Sequence, residues 1–115
     1  MLSRIRKYFR SFLWGNPLLD AIDMLNFITT VEERERIKRL PLYTAIDQSS
    51  TLLGVPLVRL FRLSSLKSPL HKWFVSRGIN HVPHMSDIVM SAWWHKLNKR
   101  SFNFNAFCVS YWWGR

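Results

Sequence analysis

At 115 residues the chain holds one domain at most, and so short a chain has much surface for the core it can build. Hydrophobic residues make up 48% of it and aromatics 15%, six of them Trp, so part of this apolar surface is expected to face a partner or a lipid headgroup layer. Seventeen Lys and Arg against seven acids give a net charge of +10, which points to acidic proteins, phospholipids or nucleic acid as partners, and the single Cys108 excludes an internal disulfide framework.

Cys108 itself reads as a small buried or interfacial hydrophobe. No run reaches the roughly 18–20 apolar residues that a bilayer crossing needs. The longest candidate, Leu52 to Leu63, is interrupted by Arg59 and Arg62.

Residues 1–13 carry four basic residues and no acid, a composition similar to a mitochondrial presequence. As a helix they place Ile5, Phe9, Phe12 and Leu13 on one side, with Arg4, Lys7 and Ser11 opposite, which suits a surface-lying or partner-docking helix. If the segment is retained, a mitochondrial chain would be imported without cleavage.

A helical body is predicted over residues 16–98. Asn16 with Pro17 supplies a cap and a first-turn proline for a nearly all-round apolar helix reaching Ile28. Thr30 and Glu33 match a capping box, the charge order from Glu32–Glu35 to Arg36–Arg39 suits the helix dipole, and Pro41 ends that helix at Leu40. A shorter helix follows from Thr44 towards Leu53, ended by Gly54. Pro56 opens the next element, in which Val58, Phe61 and Ser65 share one side and Leu60, Leu63 and Leu66 widen it. Ser68 and Pro69 repeat the cap-plus-proline signal before a helix that ends near Gly78, and a final helix fits Met85 to Leu97. Residues 99–115 are expected to form an extended, partner-bound aromatic tail ending in Tyr111, Trp112 and Trp113. The fold class expected is therefore all-α, a small multi-helix single domain without a transmembrane span.

No local motif assembles reactive groups. The four glycines are scattered singly, so no phosphate-cradling loop exists, and the run at Glu32–Glu35 reads as a solvated helix start. His81, His84 and His95 with Asp87 lack the cysteines or further acids that a metal site would need, so partly exposed histidines near a charged partner are the simpler reading. No catalytic residue, metal or cofactor is assigned. Nucleic acid is the main rival partner, because Lys72 beside Trp73 and the stretch from Trp94 to Arg100 interleave cations with rings; against it stands the lack of long basic runs. Trp93 and Trp94, adjacent on one helix, are expected to divide between the core and another chain.

Several pieces in order, Ile5-Arg6-Lys7-Tyr8-Phe9, Val31 through Lys38-Arg39-Leu40-Pro41, Arg59-Leu60-Phe61-Arg62-Leu63 with His71, and Val82 to Val89, resemble the subunit 7 (ubiquinone-binding protein) family of the mitochondrial cytochrome bc1 complex. The chain departs from that family in a longer stretch between Pro41 and Arg59 and in its aromatic rather than charge-rich C-terminus. The resemblance implies an all-helical, non-catalytic accessory subunit of respiratory complex III, peripheral on the matrix side of the inner membrane. Such a subunit contacts cytochrome b and the core proteins, supports assembly and binds no haem. Anionic headgroups such as cardiolipin are the lipid contacts expected there. Alternatives are a mitochondrial ribosomal protein on rRNA, or an accessory subunit of complex I or ATP synthase. Residues expected at partner or lipid contacts are Arg4, Arg6, Lys7, Arg39, Arg59, Arg62, His71, Trp93, Trp94, Trp112 and Trp113.

Overall fold

The computed structural model describes residues 16–113, with side chains as far as Cys108. Among these residues there are eight helices and no strand, the all-α architecture expected. No helix among them is long and apolar enough to cross a membrane.

Helix α1 (Pro17–Ile28) begins where the Asn16 side chain accepts from the backbone N–H of Leu18 at 2.9 Å and of Leu19 at 3.3 Å, two donors that the helix itself leaves unpaired. It buries Leu18, Ala21, Ile22 and Leu25. Two residues on, α2 (Val31–Arg39) opens with a complete capping box. Glu33 accepts from the Thr30 backbone at 2.9 Å, and the Thr30 hydroxyl accepts from the Glu33 backbone at 3.1 Å. The Thr30 backbone N–H, then its hydroxyl, hold the Glu33 carboxyl below its ordinary pKa. Only Ile37 of α2 is buried, so this polar helix is kept in place by other means. The Arg34 guanidinium reaches the carbonyls of Asn26 and Thr29 and the Thr29 hydroxyl, tying α2 to the end of α1.

The helix predicted from Thr44 to Leu53 is two, α3 (Leu42–Asp47) and α4 (Ser49–Leu53), broken at Gln48. Gly54 ends α4 at φ +73°, the left-handed conformation that glycine adopts without a side-chain clash. After the single turn α5 (Leu57–Leu60), Ser68 caps α6 (Pro69–Val75). The longest helix, α7 (Val82–Leu97), starts three residues before the predicted Met85, because Pro83 sits in its first turn.

The segment expected to be extended is helical from Phe104: α8 (Phe104–Trp113) begins where Asn103 accepts from the Ala106 backbone at 2.9 Å. Phe102 stays outside it, half-buried against the core, its ring 5.2 Å from His95 and 5.5 Å from Phe107.

One core unites these elements, and α7 is its axis, packed against α1, α2, α3, α5, α6 and α8. Met85, Ile88, Val89, Met90 and Trp93 are all fully buried along it. A helix covered on most sides must be apolar most of the way round, which this one is. Ser91 is the exception: it is fully buried and its hydroxyl has no hydrogen-bond partner. Replacing it with Ala removes an unpaired polar group at nearly constant volume, so Ser91→Ala is expected to stabilise the fold by about 1–2 kcal/mol, read as a higher urea midpoint.

Candidate docking surface

The acids are concentrated in one part of the chain. Six of the seven acids lie between Asp20 and Asp47, and none occurs from Gln48 to Ser86. Between residues 48 and 108 there are eight Lys and Arg against one acid, Asp87, and all eight cations are exposed. The second half of the molecule therefore presents positive charge with little internal neutralisation.

Its best-defined part is the stretch joining α5 to α6. Pro56 starts a turn that cannot continue, because Arg62 adopts φ +52° and the Leu63 N–H reaches back to the Val58 carbonyl at 2.9 Å. Phe61 and Leu63 face inward, the latter fully buried. Their carbonyls are taken up from the α6 side: the Ser68 hydroxyl donates to Phe61 at 3.0 Å, and His71 Nδ1 lies 2.6 Å from the Leu63 carbonyl oxygen. A carbonyl can only accept, so Nδ1 of His71 carries the hydrogen. With the inner residues fixed, Arg59, Arg62, Leu66 and Lys67 are turned outward.

This arrangement sorts the expected contact residues. Arg39, Arg59 and Arg62 are exposed and available to a partner. Arg4, Arg6, Lys7 and the amphipathic helix over 1–13 lie outside the described residues, as do the side chains of Trp112 and Trp113. His71 is corrected: it is buried and holds the connector in shape rather than meeting a partner. His71→Leu, which keeps a side chain of similar size but strands the Leu63 carbonyl, should cost about 1–3 kcal/mol in a urea melt.

Trp93 and Trp94 are also corrected. Neighbours on a helix point about 100° apart, yet both are buried here because α7 is enclosed on several sides. Trp93 Nε1 donates to the Asn26 side chain at 2.8 Å and Trp94 Nε1 to the Leu40 carbonyl at 2.9 Å, so each indole joins a distant part of the chain.

A second feature combines cations with rings. A trough of about 310 Å³ is lined by Leu19, Trp73, Phe102 and Phe104 together with the exposed Lys96 and Arg100. The Arg77 guanidinium lies 3.9 Å from the centre of the Trp73 ring, and Phe104 meets that ring edge-on at 5.6 Å. Lys96 and Arg100 fall in the stretch from Trp94 to Arg100 that the sequence offered as cations among rings, whereas Lys67 and Arg77 were missed; the signal that would have found those two is the acid-free run from Gln48 to Ser86.

The histidines do not gather into a metal site. Among the described residues no group of three or more His, Cys, Asp or Glu is placed to hold an ion. His81 and His84 stack edge to face with ring centres 4.4 Å apart, and burial, followed by the neighbouring His81, holds His84 below its usual pKa while Asp87 pulls the other way. A histidine whose folded pKa is lowered leaves the unfolded chain binding the extra proton. Stability is therefore intact above the ordinary histidine pKa of 6.5 and falls as pH drops from there towards the folded value. The melting temperature should decline over that window, and His84→Gln should flatten the decline. Cys108 is buried as expected, and burial raises its thiol pKa, which keeps it protonated and unreactive.

No curated protein and no solved structure matches the chain significantly. A family model described as a domain of unknown function, DUF6794, matches residues 16–97, the span from the Asn16 cap to the end of α7. The chain belongs to the DUF6794 family.

Proposed function

We propose that this chain is a non-catalytic accessory subunit that works by docking its basic second half onto an anionic partner surface. The observation that carries this reading is the exposure of all eight cations between residues 48 and 108, with one acid among them. Exposed charge of one sign speeds association with an oppositely charged surface and orients it. Its finer form rests on the sequence resemblance alone: a peripheral, matrix-side subunit of respiratory complex III in mitochondria, placed against cytochrome b and the core proteins and supporting assembly. An accessory place in complex I or ATP synthase fits the same charge distribution.

A second reading, an RNA-binding subunit of the mitochondrial ribosome, is favoured by the stacking of Arg77 on Trp73 beside Phe104, Lys96 and Arg100, since rings and cations together hold single-stranded nucleic acid. Mild detergent extraction followed by sedimentation separates the two. A complex III subunit travels with haem absorbance and is indifferent to nuclease; a ribosomal one travels with RNA and is released by nuclease or high salt. Co-migration with other inner-membrane assemblies in place of haem would redirect the assignment to complex I or ATP synthase.

A further inference from the structure

We infer that the connector between α5 and α6 is a membrane-surface anchor, in which Leu66 enters the headgroup layer of an anionic bilayer while Arg59, Arg62 and Lys67 hold lipid phosphates around it. This inference rests on the docking reading above and names the surface: lipid rather than protein.

Leu66 is the most exposed large hydrophobic among the described residues, at 75%. A lone exposed leucine is ordinary on a protein surface. What sets this one apart is the exposed cations that flank it along the chain. Arg62 precedes it by four residues and Lys67 follows directly, Arg59 lies one turn earlier, and no acid occurs within the surrounding stretch from Gln48 to Ser86. An acidic protein partner would be met as well by the cations alone, whereas an apolar tip among cations matches the layered chemistry of a bilayer surface, phosphate outside and hydrocarbon beneath.

The stretch is also stiff, so little ordering remains to be done on contact. Successive backbone bonds run from Arg62 to the Arg59 carbonyl at 3.3 Å, from Ser65 to Arg62 at 2.9 Å and from Ser68 to Ser65 at 3.1 Å. The Lys67 N–H donates to the Ser65 hydroxyl at 3.2 Å, and the inner side is fastened by Ser68 and His71. Leu66 is therefore held on the rim of a fixed turn.

The test is sedimentation of the full chain with vesicles of phosphatidylcholine, with and without cardiolipin. The chain should sediment with the cardiolipin vesicles and remain in solution with phosphatidylcholine alone. Leu66→Ser should weaken partitioning roughly tenfold through lost apolar burial, and Arg62→Gly about fivefold through one lost cation. Arg62→Gly also relieves a left-handed backbone, so its melting temperature should hold or rise, which separates lost binding from lost folding. Undiminished vesicle binding by both variants would place the membrane contact elsewhere, residues 1–15 included, and overturn the inference; so would equal binding to uncharged vesicles or none to either kind. If the chain ignores vesicles yet still joins a large assembly on native gels, the anchor is refuted and docking onto protein survives.

Discussion

Trp93→Ala is expected to remove about 3–5 kcal/mol of stability, the usual cost of emptying a buried tryptophan site, which for a domain this size approaches the whole margin of about 5–15 kcal/mol. The indole is fully buried in the middle of α7 and bonded to Asn26, so its loss opens a cavity at the axis of the bundle and strands a polar partner on α1. The measurement is a urea unfolding curve, in which the Ala variant should melt early or be unfolded in buffer. Trp93→Phe, which keeps most of the volume and loses the hydrogen bond, should fall between it and the unaltered chain. A small effect of Trp93→Ala would mean that this side chain does not organise the core and would reopen its role as a partner contact.

The second large effect is functional. The combined variant Arg59→Gln, Arg62→Gly and Lys67→Gln removes three exposed cations from the stretch between residues 59 and 67. At about 1 kcal/mol for each cation near an anionic surface, the three together should weaken docking by roughly a hundredfold or more at low salt. The unaltered chain and the variant should converge as salt is raised, since added ions screen exposed charge. Thermal stability should be preserved, because the residues that pin the turn, Phe61, Leu63, Ser68 and His71, are untouched. Loss of docking with unchanged melting is the combination that only a surface role produces.

Local chemistry was legible in the sequence where a signal acts within four residues. The Asn16 and Ser68 caps, the reciprocal bonds of Thr30 and Glu33, the stop at Leu40 and the left-handed Gly54 all follow from side-chain type and spacing. Where distant groups decide, the reading failed. The apolar spacing of Val58, Phe61 and Ser65 suggests a continuing helix, but Ser68 and His71 claim the carbonyls of Phe61 and Leu63 and the helix ends after one turn. Asn103 is a readable cap, but the aromatic run after it suggests an extended tail where the chain forms α8. Pro83 carried the same first-turn signal as Pro17 and Pro69, and following it would have placed the start of α7 correctly.

The contact residues divided in the same way. Arginines announced themselves by charge, and Arg39, Arg59 and Arg62 are exposed. Aromatic surplus was a poorer guide, because a helix enclosed on most sides accommodates two adjacent tryptophans, and the premise that one must be left over failed for Trp93 and Trp94. The exposure of Leu66 required the structure, since it depends on which neighbouring residues are turned inward.

Native gel electrophoresis of mild-detergent extracts, comparing the unaltered chain with the Arg59, Arg62 and Lys67 triple variant, bears most directly on the claim that this protein acts by docking its basic half. The unaltered chain should migrate in an assembly far larger than itself, and the variant should run free while remaining folded. An unaltered chain that runs as a free monomer, or a variant that stays fully assembled, would contradict it.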